Sequence, residues 1–181
     1  HLAFTTALVT LSIIIALGVG EAFLRLKNSS MHNYDIEMWR YAKELKRESK
    51  YPLLGHEHVP SAAALLQTVN LRINRDGLRG EDIKPKQAEE KRILFLGSSI
   101  TLGWGVKEEE TLTERLNQMF KIEGANIKVL NAGIGNYNTV RYVERFLKQL
   151  AYLAPDTIVV QYFINDTEEL EFNIGNWFLR N

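Results

Sequence analysis

The sequence has 181 residues, 45% of them hydrophobic and 24% charged, which suits one domain of ordinary size with an attached segment and a buried core. Its 22 basic and 22 acidic side chains cancel, removing the global field on which a polyanion-binding protein relies, so nucleic acid is not expected as a partner. The absence of cysteine excludes a disulfide scaffold, a thiol nucleophile and thiolate metal sites.

The first predicted element is apolar throughout. Residues 2–20 carry no charge, and at about 1.5 Å per residue they nearly cross a hydrocarbon core of about 30 Å. Continuing through EAFLRL completes a span, with Glu21 near the interface and Arg25 and Lys27 among the headgroups. This predicts a single transmembrane anchor over residues 1–26, meeting the lipid bilayer through residues 2–24. A cleaved signal peptide and a buried soluble helix are the competing readings; the run passes into AFLRL without a small-residue cleavage site. The domain that follows is expected on the extracytoplasmic side, as with N-terminal anchors generally.

Residues 27–90 read as a membrane-proximal helical and extended segment. DIEMWRYAKELKRES is helical in character, but Ile36, Trp39, Tyr41 and Leu45 give no clean stripe, which suits a helix lying on a larger surface or on the membrane. In YPLLGHEHVPSAAA, Pro52, Gly55 and Pro60 break regular structure. His56 and His58 flank Glu57 there. Two histidines at i and i+2 without a further cluster do not make a zinc site, and a polar loop is expected. Alternation at Val69, Leu71 and Ile73 predicts a half-buried strand, closed by a turn at Asp76-Gly77. Lys84 to Lys91 is a polar connector.

From residue 91 to 181 the signals become regular. ILFL at 93–96 is a strand suited to burial on both faces. Thr111 and Glu114 fit a capping box, and the helix after them places Leu112, Leu116, Met119 and Phe120 on one face. IKVLN at 127–131 is the second strand, followed by a helix expected to turn Val140, Val143, Leu147 and Leu150 inward. TIVVQYF at 157–163 is the third strand. Alternation of this kind predicts a parallel sheet with helices on both faces, whose ligands gather beyond the carboxyl ends of the strands.

Three distinctive loops, GSSIT, NAGIGN and IND, occupy those ends. Ser98 and Ser99 place a hydroxyl at the mouth of a cleft. Gly133 and Gly135 admit close backbone approach, Asn165 supplies an amide donor, and backbone N–H groups near Ser99 and Gly133 supply two more. Donors converging beside a serine hydroxyl suit a developing oxyanion. GSSITLG is not a P-loop, since Trp104 stands where lysine is required, and GIGNYN carries only the opening of a dinucleotide fingerprint.

Together, ILFLGSSITLGWG, NAGIGNYNT and FIND resemble the three motifs of the SGNH/GDSL hydrolase superfamily, in that order, over residues 91–169. The resemblance implies a flavodoxin-like three-layer α/β/α fold with a parallel sheet, of which this chain carries part, preceded by one transmembrane helix. It places Ser99 at the nucleophile, Gly133 at an oxyanion position and Asn165 at the side-chain oxyanion donor, with no cofactor and no metal. Ser98 stands where the family commonly has aspartate, and Phe163 replaces the glycine of GxND. The anchor followed by RINRDGLRG is also similar to bacterial SGNH proteins tethered at the cell envelope. Some of these are esterases or O-acetyltransferases of acylated polysaccharide, implying an acylated carbohydrate or other ester as substrate, and envelope proteins as partners.

The family's general base is a histidine near the C-terminus, three residues after an orienting aspartate. No histidine follows His58 in this sequence. The expectation is a C-terminally incomplete member, with residues 1–181 inactive alone. The alternative is a noncatalytic membrane-tethered glycan-binding or assembly protein with a degenerate hydrolase fold.

Overall fold

A computed structural model describes residues 2–29 and 33–167. They fall into two units, one reaching to Glu37 and one starting at Met38. The first contains helix α1, Leu2–Ser29. Its span Phe4–Lys27 is long and apolar enough to cross a membrane, a test that a signal sequence also passes, and its large apolar side chains are exposed. Arg25 closes an i, i+4 pair with Glu21 at 2.7 Å.

Helix α2, Tyr34–Leu45, stops before Lys46 because the chain turns into strand β1, Lys46–Glu48. Its stripe is clean once the right residues are counted. Met38, Tyr41, Ala42 and Leu45 are buried at helical spacing, whereas Ile36 and Trp39 face outward. The HEH segment is not a polar loop but strand β2, His56–His58, antiparallel to β1 and buried at all three positions. Strands β3, Ala63–Leu66, and β4, Val69–Arg72, form a hairpin whose turn, Gln67-Thr68, holds both residues at positive φ, 49° and 64°. That is the twist a two-residue hairpin prefers, reached here without glycine or asparagine. Val69, Leu71 and Ile73 are buried as their alternation predicts.

The main sheet has three parallel strands, β5 Lys91–Gly97, β6 Ile127–Gly133 and β7 Thr157–Gln161, in the order β6-β5-β7. Central β5 buries Leu94, Phe95 and Leu96. After it come the short helix α3, Ser99–Leu102, a 3₁₀ turn at Glu108–Glu110 and helix α4, Leu112–Ile122; after β6 comes α5, Thr139–Arg145, prolonged by a π-helical turn to Leu150. The expected α/β class with a parallel sheet and one apolar N-terminal helix is therefore what the chain adopts.

Thr111 caps α4 by accepting from the Glu114 N–H at 3.3 Å, while the Glu114 carboxylate accepts from Asn117 instead of closing the box. The face expected to be core is largely uncovered, with Leu112 and Met119 exposed and Leu116 and Phe120 half-buried. What docks α4 is polar. Asn117 donates to Val129 O at 3.0 Å and accepts from Val129 N–H at 2.7 Å, a side-chain substitute for a neighbouring strand along the edge of β6. Helix α5 is reversed from expectation: Val140, Val143 and Leu147 are 48%, 53% and 60% exposed, and Arg141, Tyr142 and Arg145 point in, with Leu150 buried as predicted. The physical reason is that α5 lies over loop carbonyls that need donors, which valine cannot supply. Edge strand β7 also leaves Ile158 and Val160 exposed, and it ends at Gln161, two residues short of the expected Phe163.

Candidate active site

The connection from β5 to β6 runs one way across the sheet and that from β6 to β7 runs back past β5. The chain reverses direction there, and right-handed crossovers put the two connections on opposite faces, so the carboxyl ends of β5 and β7 are where a ligand is expected in a sheet of this kind. Two cavities among the described residues lie elsewhere, one lined by Arg79, Glu108 and Asn117 and one by Arg47, Glu57 and Tyr152. The register aligns Gly97 with Gly133 on one side and with Gln161 on the other. Ser98 and Ser99 follow Gly97, and Asn165 follows Gln161 by four residues. The three loops singled out in the sequence thus leave the sheet from one row.

Ser99 opens α3, with Ser98 in the capping position. Among the described residues neither the Ser99 N–H nor its Oγ makes a hydrogen bond, and the side chain is half-buried. Ser98, by contrast, is buried, and its Oγ has no partner meeting hydrogen-bond geometry. Steric demand fixes this turn. A Cβ on Gly97 would lie 1.8 Å from Thr101 Oγ1, and one on Gly133 would lie 2.2 Å from Leu102 N and 2.7 Å from Leu102 Cα. Only glycine lets α3 settle on the strand ends. Thr101 Oγ1 then donates to Gln161 Oε1 at 2.9 Å, joining the β5 turn to β7, and Asn131 Nδ2 donates to Thr101 O at 2.8 Å, joining it to β6.

The Gly133 N–H donates to Asn131 Oδ1 at 3.0 Å. Its part in this geometry is close approach, and accepting an oxyanion would require exchanging that partner. Asn165 lies in the 3₁₀ turn Ile164–Thr167 after β7, and its side chain falls outside the described residues. Its neighbour Asp166 is buried, accepting from the Tyr142 hydroxyl at 2.8 Å and the Phe163 N–H at 2.8 Å. Burial, and next the hydrogen bond to Asp166, push the Tyr142 hydroxyl far up, so it stays a donor.

Sequence reasoning missed the cations that hold these loops from below. Arg79 donates to Leu102 O and Gly103 O, both at 2.6 Å, and to Val106 O, taking up the carbonyls at the end of α3. Arg141 donates to Asn136 O at 3.0 Å; Arg145 donates to Ala132 O at 2.6 Å and Gly77 O at 2.7 Å. Lys46 donates to Gly135 O at 2.6 Å. All four are buried, and burial lowers the pKa of each. The only signal for Arg79 was the dense RINRDGLRG run; nothing in spacing pointed to the others.

His56 and His58 are fully enclosed and oriented toward protein partners. His56 Nε2 faces Gly135 O at 3.2 Å; His58 Nδ1 faces Gly77 O at 2.9 Å and its Nε2 faces the Tyr41 hydroxyl at 2.7 Å. Burial, and secondly Arg145, hold the His58 imidazole well below the usual histidine range, so it is neutral. Among the described residues no group of three or more His, Asp or Glu side chains is placed to hold a metal ion. Trp104 is half-buried and packs on Tyr41 with ring centroids 5.1 Å apart, a core contact.

No protein-family model and no curated protein matches the sequence. Among solved structures the chain is similar to AlinE4, an SGNH-hydrolase family esterase, at 26% identity over 45% of this chain and 44% of that one, with a TM-score of 0.37. It is also similar to a GDSL-like lipase from Bacteroides thetaiotaomicron VPI-5482, at 23% identity over 52% of this chain and 43% of that one, with a TM-score of 0.33. The chain spans under half the length of either structure.

Proposed function

We propose that the protein containing this chain is a serine-dependent acyl-ester hydrolase or O-acyltransferase, tethered to the membrane through α1 and acting on an acylated glycan at a bacterial envelope, with its α/β domain on the extracytoplasmic side. The observation that carries the reading is the position of Ser99: a half-buried hydroxyl with no protein partner among the described residues, just beyond the carboxyl end of β5, where the connections of the sheet reverse direction.

In this reading Ser99 Oγ attacks the ester carbonyl and gives its proton to a histidine base. The carbonyl oxygen becomes an oxyanion held by the Ser99 N–H and the Asn165 carboxamide, while Gly133, lacking a Cβ, allows the β6 loop to close on the turn. Collapse breaks the ester C–O bond, and the leaving alcohol takes the proton from the histidine. Water then attacks the acyl-serine to complete hydrolysis, or a sugar hydroxyl attacks to complete transfer. His56 and His58 are both committed to carbonyls of the fold. The base this reading needs is a histidine other than these two, with an aspartate three residues before it as in the resembled family.

The test uses the native protein in its membrane or in detergent. A fluorophosphonate probe should label Ser99, as read by peptide mass, and Ser99→Ala should abolish both labelling and turnover of p-nitrophenyl acetate. Unimpaired turnover in Ser99→Ala would refute the acyl-serine route. Wild-type protein that is neither labelled nor active, yet retains an acylated glycan, would favour the binding protein with a degenerate hydrolase fold.

A further inference from the structure

The loop that follows β6 is held by residues far away in sequence. Gly135 N–H lies 3.1 Å from the Tyr41 hydroxyl oxygen, which lies 2.7 Å from His58 Nε2, and His58 Nδ1 lies 2.9 Å from Gly77 O. The proton positions follow from what each group can do. Gly77 O only accepts, so Nδ1 carries the imidazole proton; Nε2 of the neutral ring then accepts, so Tyr41 donates to it, and the Tyr41 oxygen is left to accept from Gly135. Every polar group in the relay is satisfied in one arrangement only.

The other side of Gly135 is fixed as well. Its carbonyl accepts from Lys46 Nζ at 2.6 Å and from His56 Nε2 at 3.2 Å, and Lys46 also reaches Asn136 Oδ1 at 3.3 Å. The peptide between Gly135 and Asn136 is trans, so fixing the C=O on one side directs the Asn136 N–H to the other. Asn136 is held at a φ of 67°, a conformation an isolated asparagine would leave readily. Gly135 is required here for a tertiary reason too: a Cβ would lie 2.8 Å from Tyr41 Cε1.

We infer that Tyr41, Lys46 and His58 are positioning residues for the acyl-transfer site, setting the backbone of the Gly133–Asn138 loop, so that the segment between α1 and β5 is part of the machinery and not a spacer. This rests on the acyl-ester reading above. None of the three touches the reacting atoms; they act by holding the loop that begins at Gly133, the residue against which α3, with Ser99 at its start, is packed.

The experiment compares wild type, Tyr41→Phe and Lys46→Met in the full-length protein, with two readouts. Steady-state kinetics on p-nitrophenyl acetate separates kcat from KM, and peptide-level hydrogen exchange follows residues 131–138 with the β3–β4 hairpin as internal reference. Tyr41→Phe keeps the ring and removes the bridge, leaving Gly135 N–H and His58 Nε2 without partners. It should lower kcat about tenfold at nearly constant KM, since one broken interior bond loosens the loop by roughly that factor. Exchange should quicken in 131–138 alone. Lys46→Met should do the same through the carbonyl side. Wild-type kcat and wild-type exchange in both variants would overturn the proposal, as would exchange that quickens equally in the hairpin, the mark of general destabilisation. If Ser99→Ala retains turnover the acyl-serine route falls on its own, while a kcat loss with loop-specific exchange in Tyr41→Phe would still assign the positioning role.

Discussion

Gly133→Ala tests the central steric claim, that α3 rests directly on the end of β6. An added Cβ would sit 2.2 Å from Leu102 N and 2.7 Å from Leu102 Cα and Thr101 C, all backbone atoms that cannot rotate aside. Restoring even a tight contact of 3.4 Å to Leu102 N means moving the helix by about 1.2 Å, the difference between 3.4 and 2.2. Forcing a methyl into such a contact costs about 1–3 kcal/mol, and the upper end applies where backbone must give. In a domain of this size that is a fall in Tm of about 10 °C. A displacement of about 1 Å at a reacting group lowers turnover by about a hundredfold. Thermal unfolding and kcat/KM on p-nitrophenyl acetate measure both, with Gly124→Ala as the control. Gly124 has a φ of 70° and nothing within 4 Å, so alanine there should cost about 1–2 kcal/mol of left-handed strain and leave turnover unchanged. Gly133→Ala with wild-type Tm and wild-type turnover would refute the packing of α3 on β6.

Arg79→Met keeps most of the stem and removes the donors to Leu102 O, Gly103 O and Val106 O; a loss of about 3 kcal/mol in chemical denaturation is expected, and a loss under 1 would mean those carbonyls are not held by Arg79. Asn117→Leu frees both backbone groups of Val129 at the edge of β6, and should cost about 2 kcal/mol and raise self-association in sedimentation. His58 gives a pH signature. Its folded pKa lies well below the unfolded value of about 6.5, so below that pH the unfolded chain takes up a proton the folded chain refuses. Stability therefore falls as pH drops, by up to about 1.4 kcal/mol per pH unit, and His58→Gln should flatten that slope between pH 6.5 and 5.

What the sequence disclosed followed from patterns that local physics enforces. The continuous run ILFL and the alternation at Val69, Leu71 and Ile73 read as strands because burial leaves no other choice of residue type. Strand-end loops carrying Ser99, Gly133 and Asn165 could be placed on one sheet edge because alternating strands and helices admit few topologies. Helix α5 defeated the same reasoning, since an apolar stripe at Val140, Val143 and Leu147 is an ordinary core signal and no periodicity predicts arginines turned inward. The HEH strand was hidden by composition: histidine and glutamate look solvated until Tyr41, Gly77 and Gln149 supply partners. Tyr41 and Lys46 act on Gly135 across 94 and 89 residues of sequence, a separation over which spacing carries no information.

The inward arginines and lysine make sense as one device. A loop that leaves a strand end abandons its ladder bonds and exposes carbonyls that need donors from elsewhere. A long basic side chain reaches such carbonyls from a distance and, for arginine, brings no acceptor of its own that would need a partner, although the Nε–H groups of Arg79, Arg141 and Arg145 are buried without one. Arg79 takes three carbonyls after α3, Arg145 one from β6 and one from the Asp76-Gly77 turn, Arg141 one from Asn136 and Lys46 one from Gly135. Burying such a donor is costly and its carbonyl bonds offset part of that cost, so a loop that shifts strands the donor as well as the carbonyl. The strand-end loops are thereby kept to one geometry by the cost of leaving it, and on the acyl-ester reading that rigidity would serve an oxyanion.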